Sequence, residues 1–479
     1  MVQHDAEVLP RWPLLCATCL LLACSGARTG TRGAVPERSV EAASDSDGEA
    51  SAAPEPWRWA GVEYVGPDSL PKATVLQALG VELGAPIPDD AVLELVDRCR
   101  AMVAAGTAPA ADCTVLRFGD RRAFALVSVP DGTAVPDRAA PSGPSAYPDP
   151  RLVELLVARI AAGQRLFEAG DVAAQAESWE PGYLTWADPG MAAMAEELHA
   201  LAVPHRQALV TLVLDAAEWE VRAKAATLLN WVGAPEQVAP AVAPALSDPD
   251  LIVRNNVSRY LLHVVDRVED PDARRTLAEA LAVQLQRPDM ADRNKALFGL
   301  SGLAASDSDP TWMRPLVAER ARRIAQTSIL PNVSGVAATL LFDLGLAPPR
   351  PPADAVASSP TYDPTLLTAV QAYADAFNAH DVPAMRALVS DDVRVYYGDA
   401  RGELALGTEG AEALASELTA YFAQLPTVRS EVLDPVARAP FVWYRERVSW
   451  ADGSKSQASD AVYEFRQGRV VRALYLPAE

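Results

Sequence analysis

A chain of 479 residues is long enough for about three domains. Half of it is hydrophobic and only 6% is aromatic, with a mean hydropathy of +0.03, so its cores must be built from Ala, Leu and Val. The net charge of −21 and a pI near 4.7 argue against a nucleic-acid partner and against electrostatic docking on anionic lipid. Five His and five Cys leave little material for zinc, haem or a His-centred triad, so no metal site and no cofactor is expected. There is no P-loop, dinucleotide-binding glycine pattern, H-E-x-x-H or G-x-S-x-G; Gly299-Leu300-Ser301-Gly302-Leu303 fails the last at its final position.

The apolar run from Trp12 to Ala23, WPLLCATCLLLA, is too short for a transmembrane helix of ~20 residues and fits the apolar part of a signal peptide. It ends in Leu21-Leu22-Ala23-Cys24, which resembles the lipobox of bacterial lipoproteins. The resemblance implies cleavage after residue 23, lipidation of Cys24 and a palmitate-type anchor to the membrane. Ser25 behind the Cys implies an outer-membrane lipoprotein of the bacterial cell envelope, facing the periplasm or the surface. Residues 24–56 are rich in Ser, Ala, Gly, Pro and acids and read as a disordered tether. With Cys24 carrying lipid, Cys99 and Cys113 remain as one pair in an oxidising compartment. They form either a disulfide or two buried thiols.

Residues 57–130 read as strand, helix, helix, strand, strand. A strand is expected over Trp59 to Val65, a turn at Gly66-Pro67-Asp68, and helices over Leu70 to Leu79 and Ala91 to Ala104. Strands follow over Cys113 to Phe118 and Ala123 to Val129. The order, with VEYVG, LGVELGAPI and RRAFALVSVP, resembles a POTRA-like α+β domain, which implies a periplasmic partner-binding module. A structural cap without a partner is the alternative. Residues 131–150, DGTAVPDRAAPSGPSAYPDP, are a Pro-rich linker.

Residues 151–346 read as helical throughout. Arg222, Arg254 and Arg293 are each followed at +3 and +7 by apolar residues, and Val333 keeps the spacing without the Arg. These anchors fall roughly 30 to 40 residues apart, the period of stacked helix pairs. AEWEVRAKAATLLNWVG and DPDLIVRNNVSRYLL resemble HEAT repeats, which implies an all-α solenoid that either holds protein partners or serves as a rigid spacer. The three arginines are expected to bond a neighbouring acid or turn carbonyl, and Trp219, Trp231 and Trp312 to lie in the core or between repeats. Residues 347–361 form a second Pro-rich linker.

Residues 362–479 begin with an amphipathic helix over Pro364 to His380, with Leu366, Val370, Tyr373 and Phe377 on one stripe. Further helices over Pro383 to Val389 and Glu409 to Gln424, and strands from Val393 onward, complete an α+β pattern. AVQAYADAFNAHDVPAMRALVSDDVRVYYG and VYEFRQGRVVRALYL resemble the nuclear transport factor 2-like superfamily in its SnoaL-like and ketosteroid-isomerase-like branch. That implies a cone, a curved antiparallel sheet wrapped by helices around an apolar pocket. Of the isomerase roles, the oxyanion Tyr maps onto Tyr373. The proton-moving Asp maps onto Tyr397 and the second acid onto Ala461, so two of three roles are empty. Pocket candidates are Tyr373, Phe377, Tyr397, Trp443, Arg445, Tyr463 and Tyr475, with the inner or outer placement of Trp443 and Arg445 left open. Asn378, His380 and Asp381 fit helix capping.

The expectation is therefore a multidomain lipoprotein with no assigned catalytic residue. It would bind periplasmic or envelope proteins through its helical repeats. Its cone would hold a small apolar or acidic ligand, be filled by its own side chains, or pair as a homodimer. The alternative is a SnoaL-like enzyme of isomerase, cyclase or hydrolase type acting on a small apolar substrate in the cone.

Overall fold

The computed structural model describes residues 56–67, 69–87, 91–117, 121–130, 135–171, 173–351, 364–399, 402–451 and 453–478. Cys24, the leader, nearly all of the tether and most of the second linker lie outside them. The chain forms two compact units. Tyr147–Ala208 with Leu228–Gly233 belong to one; Pro56–Ala146, Leu209–Thr227 and Ala234–Glu479 form the other.

In the first unit the helix Arg151–Glu168 and the helix Pro189–Ala202 flank a short hairpin, Glu177–Ser178 with Thr185–Trp186. Asp188 caps the second helix by accepting from the Met191 N–H. The Arg159 guanidinium lies between the rings of Trp186 and Trp231, 5.0 and 4.8 Å from their centroids. His199 Nδ1 meets the Trp231 carbonyl at 2.7 Å, and its ring stacks on Tyr183.

The second unit opens with strand β1 (Trp57–Val65), helix α1 (Lys72–Leu79), the two-residue strand β2 (Pro86–Ile87), helix α2 (Ala91–Ala104), and strands β3 (Asp112–Arg117) and β4 (Arg122–Ser128). The sheet order is β2-β1-β4-β3, with β1 parallel to β4. Alternation of Val62 and Tyr64 on β1 with Ala125 and Val127 on β4 turns one apolar row towards Val75 and Leu79 of α1 and Leu95 and Met102 of α2. A disulfide joins Cys99 of α2 to Cys113 of β3, 14 positions apart in sequence, with the Cα atoms 6.0 Å apart. In the chain-entropy account a loop of that length contributes about 3 kcal/mol, useful where the core is small.

The helices that follow start at aspartates. Asp250 accepts from Ile252 and Val253, Asp270 from Ala273, and Asp289 from Ala291 and Asp292, each satisfying N–H groups that have no partner within the helix. The spaced arginines tie successive helices together. Arg222 bonds both oxygens of Asp248 at 2.8 and 2.9 Å and the carbonyls of Ala216 and Ala217. Arg254 reaches Asp292 at 2.8 Å and the Asp248 carbonyl at 2.9 Å. Arg293 ends the series differently: it bonds the Ser128 hydroxyl, at the end of β4.

The β1–β4 layer is fastened to these helices by buried polar groups. Glu63 of β1 is 1% exposed. It accepts from the Ser328 hydroxyl at 2.6 Å and from the Ile329 and Leu330 N–H groups at 2.7 and 3.0 Å, just ahead of helix Pro331–Asp343. The stretch read as the first linker is also held. Arg138 bonds Asp248 and the carbonyls of Val213 and Leu214, and Gly143 N–H donates to the Asp215 carbonyl.

The C-terminal part comprises helices α3 (Pro364–Asn378) and α4 (Val382–Ala387), strands β5 (Val389–Gly398) and β6 (Leu404–Glu409), helix α5 (Ala411–Gln424), and strands β7 (Arg429–Arg438), β8 (Phe441–Trp450), β9 (Lys455–Arg466) and β10 (Arg469–Pro477). The six strands run in the order β6-β5-β10-β9-β8-β7. The expected wholly antiparallel sheet needs correction, because β5 and β10 pair in parallel. Parallel neighbours require a long crossover, and here α5 and four further strands intervene. Register shifts at Val395/Tyr396, Trp443/Arg445, Glu464/Phe465 and Val470/Arg472 bend the strands, as bulges do, and give the sheet its curl.

The outer face of that sheet is not free. Arg438 donates to the Ala325 carbonyl at 3.1 Å, and Arg472 bonds Asp343 at 2.5 Å while its guanidinium lies over the Phe342 ring. Phe342 in turn meets Tyr396 edge to face. Gly335 in helix Pro331–Asp343 permits this approach, since a Cβ there would sit 2.8 Å from Pro440 Cδ.

Candidate ligand site in the C-terminal cone

Strand parity decides what the concave face presents. On β8 the inward set is Val442, Tyr444, Glu446 and Val448; on β9 it is Ala461, Tyr463 and Phe465; on β10, Ala473 and Tyr475; on β5, Val393, Val395 and Tyr397. Helix α3 closes the other side with Leu366, Val370 and Tyr373, in keeping with its apolar stripe.

Tyrosines dominate the interior. Tyr463 is central: it meets Tyr373 edge to face at 5.6 Å, Tyr444 at 5.3 Å and Tyr475 at 6.2 Å between ring centroids. Its hydroxyl lies 2.6 Å from that of Tyr475, so the two phenols form a hydrogen-bonded pair. Tyr397 stacks on Tyr475 at 6.0 Å but is 54% exposed and forms the rim. Gly407 on β6 allows the Tyr397 ring to lie flat on the strand, because a Cβ there would come within 2.5 Å of Tyr397 Cε2.

One charged group enters this interior. Glu446 is 9% exposed. Its Oε1 accepts from the Ser430 hydroxyl at 2.5 Å. Ser430 is itself clasped by the Asn378 side chain, which accepts from its N–H at 2.7 Å and donates to its carbonyl at 2.8 Å. Burial pushes the Glu446 carboxyl above the ordinary range, with the Ser430 bond opposing and no basic residue contributing. Burial first, and the Glu446 charge second, likewise hold Tyr373 and Tyr444 above the ordinary phenol range. Tyr397 and Tyr421 also feel the Glu446 charge. The arrangement is a desolvated carboxyl facing neutral phenols, able to accept or donate a proton at one oxygen while the other is held.

The structure brings Tyr373, Tyr397, Tyr463 and Tyr475 together, as the candidate set expected. Phe377 packs beside them with Met385, Phe422 and Val428 under the helices. Trp443 and Arg445 do not belong to the interior. Both project from the outer face, where Arg445 bonds Asp460 at 3.0 Å and Trp443 Nε1 donates to the Pro348 carbonyl at 3.4 Å. Asp460 accordingly lies outside and Ala461 inside. Asp381 caps α4 through the Ala384 N–H. Asn378 clasps Ser430, and His380 stacks on Phe422 at a positive φ of 55°.

Glu446 escaped the sequence reading, yet FVWYRERVSW contains the signal. One register of this strand carries Val442, Tyr444 and Val448; the other carries Arg445 and Arg447. Burying the apolar register necessarily takes Glu446 inside. Among the described residues no group of three His, Cys, Asp or Glu side chains could hold a metal ion, and no helix is long and apolar enough to cross a membrane.

Residues 370–473 match the family model described as a SnoaL-like domain. No curated protein matches the chain. Among solved structures, an uncharacterised cystatin-fold protein from Novosphingobium aromaticivorans is 29% identical over 23% of this chain and 96% of its own, with a TM-score of 0.20. A candidate polyketide cyclase from Sinorhizobium meliloti is 18% identical over 22% of this chain and 93% of its own, with a TM-score of 0.19. Another candidate polyketide cyclase, from Streptomyces antibioticus, is 18% identical over 23% and 89%, with a TM-score of 0.20. The C-terminal part of the chain is thus a SnoaL-like domain, an α+β cone of the nuclear transport factor 2-like kind.

Proposed function

We propose that the protein is an envelope lipoprotein whose C-terminal cone is a small-molecule site with Glu446 as its polar centre. The observation that carries this reading is the desolvated Glu446 carboxyl, bonded by Ser430 at one oxygen, set among phenols and left without a cation. Burying such a group costs free energy unless something repays it, and a bound ligand that bonds the carboxyl does so. The remaining parts fit a carrier body. The β1–β4 layer, with two helices on one face and its first and last strands parallel, supports the POTRA-like reading. The Arg–Asp ties between successive helix pairs support the HEAT-like reading, and with it a surface for envelope proteins. The Leu-Leu-Ala-Cys sequence ending at Cys24 supports the anchor. A homodimer through the outer sheet face is not part of this reading, since helix Pro331–Asp343 packs there.

The test is a binding screen on the soluble chain with Cys24 replaced by Ala, following the tyrosine ring resonances by NMR. Small aromatic compounds of all three charge types are expected to include some that shift Tyr373, Tyr397 and Tyr463 saturably and lose affinity in Glu446→Ala. If compounds of every charge leave those resonances unmoved, the cone is not a ligand site. The wild-type chain belongs in the membrane fraction; Cys24→Ala in the same fraction would remove the anchor.

A second reading is favoured by the same carboxyl. A buried Glu raised towards neutrality is what a proton-moving residue needs. The domain is of a kind that includes candidate cyclases and isomerases among its structural neighbours. In that case Glu446 takes a proton α to a ligand carbonyl while a phenol of the Tyr463–Tyr475 pair donates to the enolate oxygen. Deuterium exchange into a bound ketone, abolished in Glu446→Gln, is the expected sign of it; exchange that survives the substitution removes Glu446 as the base.

A further inference from the structure

The cone had been expected to take an apolar or acidic ligand because Arg445 was counted among its walls. With Arg445 outside and bonded to Asp460, the charge balance of the interior reverses. Arg447 pairs with Glu431, and Arg472 with Asp343 and Glu464, all away from the concave face. What remains is carboxylate and aromatic. Glu446 has one oxygen on Ser430 and its other oxygen without a hydrogen-bond partner among the described residues. A second carboxylate, Glu417 on α5, is exposed outside this interior and accepts from the Thr408 hydroxyl at 2.5 Å.

Three rings border this interior. Tyr373 of α3 packs against both apolar clusters of the cone and meets Tyr463, Tyr397 of β5 stacks on Tyr475, and Tyr421 of α5 packs against the cluster that also takes Val448, the inward neighbour of Glu446 on β8. Tyr373 lies against the interior clusters, Tyr397 is exposed at the rim and Tyr421 is half-buried. Ring faces carry negative potential, so a cation set among several of them is attracted, most strongly where water is excluded. An anion entering the same space would meet the buried Glu446 carboxylate and no donor cation.

Resting on the reading of the cone as a ligand site, we propose that its ligand is a small organic cation, an amine or quaternary ammonium. The cation sits among Tyr373, Tyr397 and Tyr421 with Glu446 as its counter-ion. Such a ligand supplies the positive charge that the fold withholds from Glu446, and it draws the carboxyl back towards its ordinary acidity.

The experiment titrates the full chain, in the Cys24→Ala form, with three probes of one shape: choline, its uncharged isostere 3,3-dimethylbutan-1-ol, and 3,3-dimethylbutanoate. Binding is read from the tyrosine ring resonances. Choline is expected to bind about tenfold or more tightly than the alcohol, with no saturable shift from the carboxylate. Glu446→Gln should remove the preference, and a folded Gln variant is verified by its unchanged NMR spectrum elsewhere. The proposal is overturned if the alcohol or the carboxylate binds as well as choline, in which case the ligand site itself stands. It is also overturned if choline binds equally to Glu446→Gln. No saturable shift from any of the three overturns it too; if the wider screen is equally silent, the ligand-site reading falls with it.

Discussion

Asp248 among the helices and Glu446 in the cone are both buried carboxyls, and the fold treats them oppositely. Asp248 receives Arg222 through two hydrogen bonds, Arg138 through another, and the Asp250 N–H. Burial would raise its pKa, but those bonds prevail and hold the carboxyl below its ordinary range. Glu446 receives one hydroxyl, burial prevails, and its pKa goes up. The contrast separates two uses of a buried charge. Among the helices it is fully bonded and fixes how they sit against one another; in the cone it is left with one oxygen unbonded by the described residues, as the proposed ligand site requires.

The largest break in that comparison is Asp248→Ala. It strands the Arg222 guanidinium, whose side chain is only 4% exposed, and removes an acceptor from Arg138. The expected loss is about 3 to 5 kcal/mol in urea denaturation, since one partner of a buried pair is removed without the other. A loss below about 1 kcal/mol would show that the ladder does not hold the helices.

Next in size is a pH effect that distinguishes well-bonded from poorly compensated acids. Burial pushes Asp112 and Asp292 up to about 6, from a usual value near 3.8. In Asp292 burial outweighs the Arg254 pair; in Asp112 the neighbouring Asp289 adds to burial. The folded chain therefore holds more protons than the unfolded chain between about pH 4 and pH 6, and these two groups make stability fall as pH rises through that window. Their contribution is fully present below about pH 4 and reaches about 2 to 3 kcal/mol for each at most. Asp248 and Asp307, held below their usual range, act with the opposite sign and lose their contribution as pH falls below about 4. Denaturation series from pH 7 to pH 4 should show the rise, and Asp292→Asn should flatten part of it. A flat profile in the wild-type chain would contradict the burial of both acids.

The smallest effects sharpen the picture inside the cone. Glu446→Gln should stabilise the chain by about 1 kcal/mol at pH 8, where the carboxyl must otherwise be ionised in a desolvated place, with the gain vanishing near pH 4. Arg445→Ala, which breaks a half-exposed pair on the outer face, should change stability by less than about 0.5 kcal/mol and leave probe binding untouched. If Arg445→Ala weakens binding while Glu446→Gln does not, the assignment of inner and outer faces is wrong.

Much of the local structure was legible. The helix expected over Ala91 to Ala104 has those bounds, because its apolar period of 3.6 is unambiguous. The short strands Pro86–Ile87 and Leu404–Glu409 were missed, because neither carries an alternating apolar pattern and both exist only through pairing with a neighbour. In the site, the tyrosines were found from helix stripe and strand parity. Glu446 was not, because a search for carboxyls at the family's positions passed over one that parity alone brings inside. Glu63 gave no signal at all. An acid in an apolar strand is explained only by the N–H groups of Ile329 and Leu330, more than 260 residues away in sequence.

Sequence by itself determined the elements: where helices begin at aspartates, which faces are apolar, which arginines recur at the repeat period, and that the last hundred residues resemble a SnoaL-like cone. These properties are local, set by backbone hydrogen bonding and by the periods of helix and strand. Tertiary structure alone decided which face of each strand points inward, which surfaces are spent on holding the second unit together, and which buried charges are left uncompensated. Desolvation and pairing depend on what the chain brings together from a distance. Glu446 and Asp248 therefore carry the same chemistry in the sequence and opposite roles in the fold.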